Sequence, residues 1–148
     1  MSSARRRSRE LVLQGLYQWQ YTGTGVSQVL KNLSELDGFA KADQGFLESE
    51  LRGTIGEASA LREQLEPLAD RKWDEVSPIE KAILLIGAWE LMHRPEIPYR
   101  ATINEAIELG KRFGGTDGHK YVNGVLDRLA KNVRADEVAA PRKKGARP

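Results

Sequence analysis

A chain of 148 residues has room for one hydrophobic core and is too short for two ordinary domains. The absence of cysteine excludes disulfides, thiolate metal sites and cysteine nucleophiles, and only His93 and His119 remain as imidazole ligands or bases. The formal net charge is only +2, but Arg5, Arg6, Arg7 and Arg9 crowd one end and Arg142, Lys143, Lys144 and Arg147 the other, leaving 15 cations against 21 acids between them. Positive potential confined to the ends points to a polyanionic partner. No apolar run approaches the roughly 18 residues of a membrane span. The N-terminus is arginine followed by an amphipathic pattern, not the apolar block of a signal peptide, so the expected location is the cytoplasm.

Helical periodicity dominates, no alternating run reads as a strand, and the expected fold class is all-α with about seven helices. The first helix is expected over 4–22, with Val12, Leu13, Leu16, Tyr17 and Trp19 on one face and Gly23 and Gly25 ending it. A second, over 26–36, carries Val29, Leu30, Leu33 and Leu36 before the Asp37-Gly38 turn signal. The stretch 43–69 keeps helical period from Leu47 to Leu68 but contains Gly53, Gly56 and Pro67, so two helices are expected there. The fifth has the strongest start: Ser77 as N-cap, Pro78 in the first position and Glu80 three residues after the cap. Its body is apolar almost all round, as in the buried centre of a bundle, and Pro95 stops it. A sixth turns Ile103, Ala106, Ile107, Gly110 and Phe113 inward and ends at Gly114-Gly115. The seventh is capped by Thr116 or Asp117 and presents Val122, Val125, Leu126 and Leu129. Residues 1–134 thus read as one helical domain and 135–148 as a basic disordered tail.

Two features carry chemistry beyond packing. Arg5, Arg6, Arg7 and Arg9 stand at a helix N-terminus, where the macrodipole already supplies roughly half a positive charge and cations are unfavourable for the helix itself. At about 100° per residue, Arg5 and Arg9 continue the apolar stripe, Arg6 lies at its margin and Arg7 points elsewhere. Guanidinium groups bind phosphate bidentately and stack on bases, so this cationic lip suits single-stranded RNA; a merely solvated basic terminus is the alternative. The second feature is the segment from Lys111 and Arg112 through the glycine-rich turn into the seventh helix, where Asp117, His119 and Lys120 precede Tyr121, a ring on which a base could stack. Its alternative is an ordinary helix stop with aromatic core residues.

Glu105 and Glu108 are neighbours on one helix but so are many surface pairs. The two histidines lack metal-ligand spacing, and no phosphate loop or nucleophile elbow occurs. No catalytic residue, metal or cofactor is expected, and the chain is not read as an enzyme.

The runs ARRRSRELVLQGLYQWQ, VSPIEKAILLIGAWEL and IPYRATINEAIELGKRFGGTDGHKYVNGVLDRLA, in that order, resemble the NusB family of bacterial transcription antitermination factors over about 4–134. The resemblance implies seven helices in two packed subbundles. It also implies binding of the boxA element of ribosomal RNA leader transcripts together with the ribosomal protein NusE, inside an RNA polymerase antitermination complex. Carried over, the family's arginine-rich motif falls on Arg5, Arg6, Arg7 and Arg9, and its second RNA-contacting region on Asp117 through Tyr121. The NusE-binding surface is implied near Glu80, Tyr99 and Arg100. The family often has Phe at the position of Tyr121 and Ala-Glu before the aspartate, where this chain has Gly-Thr. A homodimer is an alternative assembly. Alternative functions are an isolated RNA-targeting domain like that of a ribosomal RNA cytosine methyltransferase, or a protein-binding adaptor whose arginines serve solubility.

Overall fold

The computed structural model describes residues 3–141, which form α1 (Ser3–Thr22), α2 (Val26–Ser34), α3 (Gln44–Gly56), α4 (Ala58–Leu65), α5 (Pro78–His93), α6 (Tyr99–Phe113), α7 (Gly118–Val133) and α8 (Ala135–Ala139). Short 3₁₀ turns at Phe39–Lys41, Glu66–Leu68 and Trp73–Glu75 connect them, and no strand occurs among the described residues. The Arg142 to Arg147 cations lie outside the described residues. None of the described helices is long and apolar enough to cross a membrane.

Local signals set most of the boundaries. Ser77 Oγ accepts from Glu80 N at 3.1 Å and donates to the Glu80 carboxylate at 2.6 Å, fixing the start of α5. Asp43 caps α3 by accepting from Phe46 N at 3.1 Å. Gly23, at φ 64°, takes the left-handed conformation that terminates α1, with its N–H donating to Trp19 O at 3.0 Å. The stretch expected to hold two helices breaks between Gly56 and Ala58.

Every residue from Ala82 to Leu91 is buried, so α5 is the central rod that its all-round apolar sequence requires. It packs on α1, α3 and α4 along one side and on α6 and α7 along the other, joining an α1–α2–α3 group to an α5–α6–α7 group. Gln20 Nε2 donates to Pro78 O at 3.2 Å while Arg9 pairs with Glu90, so α1 runs antiparallel to α5. Ion pairs from Arg6 to Glu105 and from Arg112 to Glu10 show that α6 lies beside α1 and parallel to it. Gly110 lets the start of α7 touch α6, because a Cβ there would meet His119 Cα at 2.9 Å. Gly110→Ala is therefore expected to force backbone apart and cost about 1–3 kcal/mol, read as a lower denaturation midpoint. A glycine without that contact would gain from the same change in a helix interior.

Four expectations need correction. Tyr17, assigned to the apolar face of α1, is 39% exposed, whereas Val12, Leu13 and Leu16 are buried. Phe113, expected to turn inward, is exposed at the last residue of α6, where the Arg112 guanidinium lies 5.3 Å from its ring centre. Asp117 occupies the N-cap position of α7 but makes no side-chain cap bond. The tail expected to be disordered from 135 begins with α8, because Glu137 is held at both oxygens: Oε1 pairs with Arg134, and Oε2 accepts from Tyr99 N at 2.8 Å. That second contact satisfies an otherwise orphaned amide at the start of α6.

Candidate nucleic-acid interface

Helix phase sends the four N-terminal arginines to four environments. Ser8 Oγ donates to Ala4 O at 3.0 Å and to Asp43 O at 2.8 Å, pinning the first turns of α1 against the start of α3. Arg5 is half-buried, with Nε 3.5 Å from Asp43 Oδ2 and its guanidinium 4.5 Å from the centre of the Phe46 ring. Arg6 is more than half exposed and uses Nε and Nη2 to grip Glu105 at 3.0–3.3 Å. Arg7 is exposed above Gly38, and among the described residues no carboxylate pairs with it. The Arg6 and Arg7 guanidiniums are therefore exposed at this end of the molecule, with Arg5 half-buried beside Asp43.

Arg9 does not join them. It is 1% exposed and donates from Nε and Nη2 to the two oxygens of Glu90 at 2.8 and 2.7 Å. Burial opposes its charge, but the hydrogen bonds and negative charge of Glu90, aided by Glu50 and Glu105, hold the guanidinium above its ordinary value. The expectation that Arg9 contacts RNA is corrected: the same phase that continues the apolar stripe carries it into the interior, where a carboxylate 81 residues away receives it. Phe46 completes the arrangement, with the Arg5, Arg9 and Arg94 guanidiniums 4.5, 4.9 and 4.5 Å from its ring centre.

The second expected region lies where α6 turns into α7. Lys120 is open to solvent and its ammonium sits 3.4 Å from the equally open Asp117 carboxylate. His119 is half-buried against Gly110. Tyr121 is half-buried, packs on the core, and is covered by the Arg71 guanidinium at 4.0 Å from the ring centre. Burial, chiefly, pushes its phenol above the ordinary value, and its buried hydroxyl has no hydrogen-bond partner. The ring is thus already stacked on a cation, and a base reaching that face displaces Arg71.

Arg112, at the start of the second expected segment, joins the two regions. It pairs with Glu10 on α1 one turn beyond Arg6, and it lies on α6 just before the turn. Arg6 and Arg112 accordingly mark the α1–α6 seam leading toward the start of α7, where Lys120 is exposed, while Arg7 is exposed on the Gly38 side of α1. Its place beside the glycine turn made Arg112 legible in the sequence; for Arg71, in a loop before α5, sequence offered no signal.

The three residues expected to face a protein partner are not together. Glu80 is bonded to Ser77 and lies against Gly118 at the start of α7. Tyr99 and Arg100 stand at the opposite end of α6, about 20 Å away along the α5 axis. Tyr99 is buried, whereas Arg100 is exposed at a groove of about 410 Å³ that also involves Ile103, Asn104, Asn123 and Asp127.

Comparison with known proteins places this geometry in a family. The chain is 54% identical over 138 residues to the transcription antitermination protein NusB of Dechloromonas aromatica, a match covering 93% of this chain and 85% of that protein. It is 48% identical over 144 residues to the protein of the same name from Thiobacillus denitrificans, covering 97% and 99%. Among solved structures it superposes on T. maritima NusB with a TM-score of 0.81 at 27% identity, covering 95% of this chain and all of the other. It shares its fold with a chain from the crystal structure of antitermination factors NusB and NusE in complex with dsRNA, with a TM-score of 0.77 at 19% identity, covering 89% and 99%. The model described as the NusB family matches residues 6–131, and with those relatives it shows that the chain belongs to the NusB family.

Proposed function

We propose that this chain is an RNA-binding transcription antitermination factor that holds the single-stranded boxA element of ribosomal RNA leaders together with NusE. In this reading the pair joins an RNA polymerase complex in the cytoplasm, and the chain assembles on RNA instead of catalysing a reaction. The observation that carries it is the set of outward cations Arg6 and Arg112 on the α1–α6 seam, Lys120 at the start of α7 and Arg7 beside Gly38, on a chain about half identical to named antitermination proteins. Phosphates lie along that seam, with Arg5, half-buried beside Asp43, closing its far end. Asp117 and His119 shape the turn, and Tyr121 offers its ring once Arg71 swings away to a phosphate. The domain extends through α8, and NusE docks at the α6–α7 groove where Arg100 is exposed.

The test is affinity for boxA and scrambled strands across a salt series, with and without NusE. Three neutralised phosphates give log affinity against log salt a slope of about −2 on a single strand. Arg6→Ala with Arg7→Ala is expected to flatten that slope by about 1, and an unchanged slope shows that RNA binds elsewhere. Equal affinity for the two strands in the presence of NusE would overturn boxA recognition.

A further inference from the structure

A carboxylate beside a polyanion site is an electrostatic liability, yet Glu105 sits directly under Arg6. It is 6% exposed on α6, and its position is fixed from below. Arg9 Nη1 lies 3.9 Å from Glu105 Oε1, and Arg9 is itself clamped to Glu90 at 2.7 Å. Arg6 and Arg9 thus balance the charges of Glu105 and Glu90, so the cluster carries no net negative charge and the repulsion of an incoming phosphate by Glu105 is largely cancelled.

A guanidinium has five N–H donors in a rigid plane. Glu105 engages Nε and Nη2 of Arg6, at 3.0 and 3.1 Å, which is the side-on edge of that plane. The end-on edge, Nη1 with the remaining Nη2 hydrogen, keeps its donors and belongs to a side chain that is 55% exposed. Phosphate recognition uses such a two-donor edge. An unpaired arginine must order several torsions on binding, and a guanidinium already held by a buried carboxylate has lost that freedom in the unbound protein. Arg7 has no such tether among the described residues.

We propose that Glu105 is a positioning residue for RNA binding, a buried carboxylate that holds the Arg6 guanidinium with its end-on edge toward the phosphate backbone. This rests on the reading that Arg6 meets RNA.

The test is a double-mutant cycle on the full chain, with dissociation constants for a boxA single strand measured at one salt concentration. Glu105→Gln is expected to weaken binding about three- to tenfold, and Arg6→Ala with Glu105→Gln to bind no worse than Arg6→Ala alone. The salt slope of Glu105→Gln stays that of the parent because no cation is lost. Should Glu105→Gln unfold the protein, Glu105→Asp keeps the counter-charge for Arg9 while shortening the tether, and the same cycle is read on it. Binding by Glu105→Gln as tight as the parent or tighter overturns the inference, as does an equal loss in both Arg6 backgrounds. Arg6→Ala that binds like the parent instead overturns the placement of RNA at this residue.

Discussion

Arg9→Ala is expected to destabilise the domain by about 3–5 kcal/mol, the usual cost of leaving one member of a buried ion pair alone. Glu90, 1% exposed, would keep a charge with neither water nor its bidentate partner around it. Against a total stability of about 5–15 kcal/mol, the loss is large enough to show as a collapse of the denaturation midpoint. A fully exposed RNA-contacting arginine behaves oppositely, losing affinity with the midpoint unmoved. Replacing both partners, Arg9→Met with Glu90→Leu, is expected to recover most of the lost stability, because no charge is then stranded. If the single replacement leaves the midpoint within about 1 kcal/mol of the parent, the buried pair is not holding α1 to α5.

Stability is expected to fall as pH rises from about 5 to about 9, with a slope of up to about 1.4 kcal/mol per pH unit. The source is Glu50. Burial first, then the charge and hydrogen bond of Glu90, push its carboxyl up to about 10 from an ordinary 4.5, against the opposing pull of Arg94 and Arg9. Below the ordinary value both folded and unfolded chains hold the proton. Between the two values the unfolded chain releases it and the folded chain keeps it, so each added pH unit favours unfolding. The geometry agrees: Glu50 Oε2 accepts from Arg94 Nε at 3.0 Å, while Oε1 receives no hydrogen bond and, protonated, becomes a donor to Glu90. Glu50→Gln supplies that donor permanently. Its advantage over the parent should grow steadily with pH in thermal unfolding, and parallel curves would show that Glu50 is ionised in the fold.

What sequence disclosed and what it hid divide along the range of the forces involved. The start of α5 was legible because Ser77, Pro78 and Glu80 act within one turn, and its burial was legible because its apolar residues leave no polar face. The phase of α1 was legible too, and it correctly put Arg9 on the packed stripe. Its consequence was hidden, because an arginine on that stripe is a surface lip or an interior ion depending on whether a carboxylate awaits it, and Glu90 is a matter of tertiary structure. Tyr17 was misassigned because periodicity counts any aromatic as apolar and cannot see that its ring is left beside the exposed Tyr21. The turn before Tyr121 was found from its glycines, but Arg71 covering the ring came from a loop without pattern. The short α8 had no apolar stripe to betray it and depends on Glu137 reaching the start of α6.

The sequence distance of these ion pairs also sets a timetable. Arg6 and Arg9 leave the ribosome well before Glu105 and Glu90, which follow 99 and 81 positions later. At about 5–20 residues per second, the first turns of α1 wait roughly 5–20 seconds for their counter-charges. During that interval the arginines form an untethered cationic segment next to the ribosome's own RNA. The α1–α6 seam comes into being only once Glu105 and Arg112 have been made, so a shorter nascent chain carries the cations without the architecture that orients them.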